Sequence, residues 1–267
     1  MSPTRKQTLL LWLLGLVGAA AVLPYALALQ AEQLAPVLKK HGLSLWTIGF
    51  LGWLQHAVLL IPVVLIGMWA SQKVGFSATL GPWRLEHEKR PAHLGRSLAI
   101  AFVGGVAAGV VVVVLDRSVF QPGLPALQGI EHRFLSRAPI WYGLLACLYG
   151  SINEELVVRL FLMSLLALGL RYVATPKGWD RPPQLWVVWL ANVLSALAFG
   201  ALHLPAARAL LPLEALWVAR TLLLNAVVGV LCGYLYARRG LLHAMLAHGA
   251  ADLVLHVFVP WSQAWER

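Results

Sequence analysis

Charge is what this 267-residue sequence has least of: 12% of it is Asp, Glu, Lys or Arg, about half of the roughly 25% usual in a soluble domain. With 60% hydrophobic residues and a mean hydropathy of +0.74, a soluble globular domain is excluded and a multi-span integral membrane protein is implied. Cysteine is scarce too. Cys147 and Cys232 are the only two, each inside an apolar run, which excludes a disulfide framework and a paired-cysteine zinc site and leaves packing as their expected role. Acidic residues number 11 against 21 basic ones. The net charge of +10 is nevertheless spread over short connections rather than gathered in one patch, so anionic lipid head groups, and not nucleic acid, are the expected partner. No internal repeat and no low-complexity tract is present.

What the sequence has in abundance is long apolar runs, near residues 8 to 30, 45 to 70, 97 to 115, 140 to 170, 185 to 204, 215 to 236 and 241 to 259. Each approaches the roughly 20 residues that span a bilayer. The expected fold is all-α: a polytopic transmembrane helix bundle of about seven spans, six to eight at the limits, forming one structural domain. The first run follows Arg5 and Lys6 and passes Ala19, Ala20 and Ala21, but its apolar stretch is long for a cleaved signal and a retained anchor is expected. The run from Ile140 to Leu170, about 46 Å as a helix, exceeds a hydrocarbon core of about 30 Å and should tilt, bend or extend past the membrane.

Alternating the connections puts Arg5, Lys6, Lys73, Arg84, Lys89, Arg90, Arg96, Arg171, Lys177, Arg181, Arg238 and Arg239 on one side. Lys39, Lys40, Arg117, Arg133, Arg137, Arg208 and Arg267 fall on the other. Twelve against seven favours a cytoplasmic N-terminus. Arg159 and Arg220 lie within spans and are not counted. The segment Gly75 to Gly95, with Trp83, Arg84, Glu86, Glu88, Lys89 and Arg90, reads as a solvated loop or amphipathic piece at the head groups. The stretch around Pro122 and Pro125 reads as a turn. Gly105 with Gly109, and Gly229 with Gly233, have the four-residue spacing that lets helices approach closely in lipid.

Ionisable side chains inside a span cost several kcal/mol each unless paired or facing a hydrated cavity. Three such groups occur. Glu154, Glu155 and Arg159 form an EExxxR pattern in an apolar helix. At about 100° per residue Glu155 and Arg159 share one face as an acid-first i to i+4 pair, whereas Glu154 lies about 140° from Arg159. Glu155 and Arg159 are therefore expected to support one another, leaving Glu154 as the candidate general base. The alternative is an interhelical ion network of all three. The second group is Phe199 and His203, with Gly200 and Ala201 leaving room beside the imidazole. A histidine in an apolar span is either a satisfied core residue or, in this company, a group that positions water. The third is His248 and Asp252, which the i to i+4 spacing puts on one face, where protonated donors could hold an oxyanion. His243 and His256 are read as supporting or interfacial.

Taken together, EExxxR, FxxxH and HxxxD, in this order and each on its own apolar helix, resemble the CPBP (Abi) family of CAAX-type prenyl-protein endopeptidases and bacteriocin-processing or immunity proteins, over residues 138 to 259. The resemblance implies a glutamate-dependent intramembrane peptidase in which Glu154 and His203 activate water, Glu155 and Arg159 support them, and His248 with Asp252 binds the oxyanion. The family often carries Asn at the last position; Asp252 must be protonated to donate there, or must orient His248. Residues 1 to 137 are expected to be scaffold helices and 260 to 267 a tail. The substrate would be a membrane-anchored protein or peptide cut near its anchor or C-terminal tail, in a bacterial inner membrane. On side-chain type alone Glu154, His203, His248 and Asp252 suit a divalent metal, but there is no HExxH helix and the resemblance favours a mechanism without cofactor. Two other classes stay open: a catalytically silent immunity or regulatory protein of the same fold, and a proton-coupled transporter, against which the missing repeats argue.

Overall fold

The computed structural model describes residues 2–80, 93–127, 139, 141–175 and 182–265. Among these residues the chain forms eight helices, α1 Pro3–His41, α2 Leu45–Val74, α3 Leu94–Leu115, α4 Trp141–Ala174, α5 Leu185–Leu202, α6 Leu204–Leu210, α7 Ala215–Arg239 and α8 from Leu241 through Asp252 to Trp265. Seven stretches are long and apolar enough to cross a membrane, with α5 and α6 counting as one. This is an integral membrane protein, and its spans fall where the apolar runs place them.

The helix ends follow local chemistry. Ser2 and Ser44 cap α1 and α2, their hydroxyls accepting from the backbone N–H groups of Arg5 and Thr47 at 3.3 and 3.0 Å, the usual way a first turn satisfies its free donors. Gly42 and Gly75 close the same helices in the left-handed region, at φ of 62° and 78°, where a side chain would be strained. Large apolar side chains such as Trp46, Phe50, Leu51 and Leu54 point outward along α2, as lipid-facing residues must. Most of the Gly75 to Gly95 segment lies outside the described residues. The proline stretch after α3 is a short 3-10 turn, Gln121–Gly123, followed by Leu124.

The long run forms the single span Trp141–Ala174, and it is not a uniform α-helix. Gly150–Glu154 and Leu156–Met163 are π-helical, as are Asp116–Phe120 after α3 and Leu253–Phe258 in α8. Such i to i+5 turns are rare and concentrate at functional sites. All four stretches contain or adjoin the ionisable residues considered below.

α4 sits between α1 and α2 on one side and α5 on the other, while α3 packs on α7 and α8. Both glycine pairs serve these contacts. A Cβ at Gly105 would strike the backbone of Ala247 and one at Gly109 would meet Ala251, so α3 lies directly on α8. Gly229 and Gly233 similarly seat α7 against Ala196 and Asn192 of α5. α1 is tied to α4 through Asn153, whose amide donates to Gly15 O at 2.8 Å and bonds His56 Nε2 of α2 at 2.8 Å.

Candidate active site

Six of the helices converge on one cavity of about 500 Å³, lined among others by Tyr25, Tyr149, Glu154, His203, His248 and Asp252. All four residues expected from sequence to carry chemistry therefore open onto one space. Glu155 and Arg159 lie behind it, both fully buried.

His248 organises the floor of this cavity. Its Nδ1–H donates to Glu155 Oε1 at 2.8 Å, and its Nε2 stands 3.5 Å from Glu154 Oε2 and 3.7 Å from Asp252 Oδ2. With Nδ1 committed to Glu155, anything the ring offers to a reacting group comes from Nε2. The second oxygen of Glu155 faces Arg159 Nε at 3.4 Å. One carboxylate thus joins a cation to a histidine, which the sequence pattern alone, pairing Glu155 with Arg159, left out.

The Arg159 guanidinium has no hydrogen-bond partner among the described residues, but it lies over the Phe199 ring, 5.5 Å from its centroid. Desolvated arginine on an aromatic face is held by the ring quadrupole. The same ring meets His203 edge-on at 4.8 Å and His248 edge-on at 5.5 Å. Phe199 is therefore the common wall of the three groups, and its carbonyl does further work: it accepts from His203 Nδ1 at 2.8 Å. That bond fixes the tautomer, leaving His203 Nε2 with its lone pair free for the cavity.

The angular separation of Glu154 and Arg159 expected from ideal α geometry does not carry over unchanged, because α4 is π-helical on both sides of Glu155. The distances still divide the glutamates. Arg159 approaches Glu155, while Glu154, about a quarter exposed, lies against His248 in the cavity.

Three features escaped the sequence. Gly150 lies one turn before Glu154, and a Cβ there would collide with Asp252 Oδ2, so a glycine is required for α4 and α8 to bring these carboxylates together. Cys232 packs directly against the site, its sulfur within 4.8 Å of donor atoms of Glu155 and His248. Asp116 and Arg220, 104 residues apart, form a two-pronged pair at 2.6 and 2.5 Å on the cavity wall, with Trp217 stacked 4.9 Å from the guanidinium. The i to i+4 spacing within α4 and α8 exposes the first kind of pairing to a reader of the sequence; nothing local announces the second.

His243 and His256 separate. His256 lines the cavity 3.9 Å from Asp252. His243 is buried, bonded to Ser97 at 2.8 Å, and Arg239 donates to that same hydroxyl at 2.7 Å; it locks α8 to α3 and is not interfacial.

Glu155, Cys232 and His248 offer three donor atoms within 4.8 Å of one another, a different set from Glu154, His203, His248 and Asp252, which suit a metal on side-chain type alone. Glu155 and His248 are already bonded to each other, and the buried Arg159 cation borders the same carboxylate. A divalent cation there would face a guanidinium at close range. This cluster does not fit a metal.

Residues 136–254 match the family model for Rce1-like type II CAAX prenyl endopeptidases. No curated protein and no solved structure matches the chain. Residues 136–254 are thus a Rce1-like family domain, and they contain all the residues of the cavity floor.

Proposed function

We propose, from this Rce1-like domain, that the protein is an intramembrane endopeptidase that hydrolyses a peptide bond near the membrane anchor or C-terminal tail of a membrane-associated protein or peptide. The observation that carries the reading is the convergence of Glu154, His203, His248 and Asp252, from three separate spans, on one cavity. Packing alone does not explain ionisable groups at this depth, which are costly in a membrane interior unless they serve a hydrated site.

Glu154 is the general base. It takes a proton from a water that His203 Nε2 also holds, and the resulting hydroxide attacks the scissile carbonyl. His248 Nε2 and protonated Asp252 then donate to the oxyanion. Protonated Glu154 returns its proton to the leaving amine, so the site ends the cycle as it began. Glu155 and Arg159 do not touch the reacting atoms; they hold His248 in the orientation that exposes Nε2. Residues 1 to 137 act as scaffold, with Asn153 as the point where α1 and α2 grip α4.

The reading is tested by co-expressing membrane-anchored candidate substrates with wild type, Glu154→Ala and His203→Ala. Wild type is expected to process its substrate, and both variants, present at equal abundance, are expected to lose processing. Processing by the variants at the wild-type rate would exclude the mechanism.

A further inference from the structure

A second cavity, of about 610 Å³, lies between the start of α1 and the end of α2, and shares no lining residue with the candidate active site. The two helices run antiparallel. Trp12 Nε1 of α1 donates to Ala57 O of α2, and Trp53 Nε1 of α2 donates to Leu16 O of α1, each at 3.0 Å. The cavity therefore has a polar end and an apolar end on which both helices agree: Thr4, Arg5 and Gln72 stand at the helix ends, while Trp12 and Ile61 lie further in. Buried Val64 and Met68 form its back. Leu9, Ile61, Leu65 and Trp69 are exposed along its rims, so this is a groove that opens sideways onto lipid.

The polar end holds unspent donors. The Arg5 guanidinium, the Gln72 amide and the Thr4 hydroxyl make no side-chain bond among the described residues, and no Asp or Glu lines the groove. The surroundings carry one sign of charge: Lys6, Lys73, Arg96, Arg238 and Arg239 lie at this end of the bundle, and no acid does among the described residues. A guanidinium pairs with a phosphate through two parallel bonds, and a basic pocket between spanning helices is where a lipid head group is held. Trp12 sits about 10 Å below Arg5 along the α1 axis, which leaves an apolar channel beneath the charge. The quaternary ammonium of a zwitterionic lipid would meet only like charge here. The groove's volume falls in the range of about 300–1,000 Å³ usual for small-molecule sites.

We propose that the groove between α1 and α2 is a binding site for one anionic phospholipid, its phosphate on Arg5 and Gln72 and an acyl chain running down between Trp12, Val64 and Leu65. The expectation from net charge, that the basic residues face anionic lipid in general, thereby narrows to a single site. It does not depend on the peptidase reading. The lipid fills the seam between the two helices that together hold Asn153 of α4, so its binding should stabilise the fold by mass action.

The test uses delipidated full-length protein in a neutral detergent. The probes are dioleoylphosphatidylglycerol and dioleoylphosphatidylcholine, which differ only in head group. Native mass spectrometry is expected to show one phosphatidylglycerol retained per chain, with a Kd about tenfold below that of phosphatidylcholine, the size of one charge-assisted hydrogen bond. The melting temperature should rise further with phosphatidylglycerol than with phosphatidylcholine. Arg5→Gln should bring the two lipids to equal affinity. Leu65→Trp, at an exposed rim position, should fill the groove and weaken phosphatidylglycerol about tenfold with no change of charge. Arg238→Gln, an exposed basic residue at the same end but outside the groove, should leave the preference intact. Equal affinity of the two lipids for wild type would overturn the proposal. So would a loss in Arg238→Gln as large as that in Arg5→Gln, the response of a diffuse basic face, or unchanged binding in Leu65→Trp, which would put the lipid elsewhere.

Discussion

Two acid–arginine pairs in this molecule have opposite characters. Glu155 and Arg159 are one helical turn apart and fully buried, meet at 3.4 Å, and hand the second carboxylate oxygen to His248. Asp116 and Arg220 come from the π-helical turn after α3 and from α7, keep 12% and 19% of their side chains exposed, and meet through two bonds of 2.6 and 2.5 Å. The first pair has lost its water and gained a histidine. The second has ideal geometry and remains wet. Depth explains the difference: behind the cavity a charge must be neutralised within the protein, whereas nearer the ends of the helices it can stay partly hydrated.

The comparison is broken most severely at the floor. Glu155→Leu leaves Arg159 as an uncompensated buried charge and should destabilise the protein by about 3–5 kcal/mol, measured by thermal unfolding in detergent. Adding Arg159→Leu should recover most of that loss, since an apolar pair of similar volume is tolerated. Cleavage should stay lost in the double variant, because Nδ1 of His248 no longer has its acceptor. A double variant that regained cleavage would show that Glu155 is a packing residue and does not orient the histidine.

Gly150→Ala probes the same floor sterically. The added methyl meets Asp252 Oδ2, and a cost of about 1–3 kcal/mol is expected from overpacking, together with a fall in kcat larger than the change in KM. At the upper pair the effects are smaller. Arg220→Lys keeps the charge but gives up the two-pronged geometry, and should cost about 1 kcal/mol of stability. His256→Gln sharpens the boundary of the site: at 3.9 Å from Asp252 and 42% exposed, the ring makes a weak, hydrated contact worth well under 1 kcal/mol, and a rate change of only a few-fold is expected.

The same contrast explains what a reader of the sequence can see. Spans follow from apolar length alone, and Glu155 with Arg159, or His248 with Asp252, are visible because helical spacing puts them on one face. Glu154, His203 and His248 share a cavity for a reason that no local pattern contains, namely the packing of α4, α5 and α8. The bond from His248 to Glu155 crosses 93 positions and the Asp116–Arg220 pair crosses 104. The π-helical turns around Glu155 are equally hidden, since apolar periodicity does not distinguish them from α-helix over so few residues.

The central claim is that Glu154 is the base that activates water in this cavity. Its most direct test is single-turnover cleavage of a membrane-anchored peptide that the wild type processes, by purified wild type and Glu154→Gln, with the fold of both verified by thermal unfolding. The account predicts equal stability within about 1 kcal/mol, since Glu154 makes no short bond to the protein, and a loss of cleavage of about a hundredfold to ten-thousandfold, the contribution of a positioned general base. A folded Glu154→Gln protein that cleaves at the wild-type rate would contradict it.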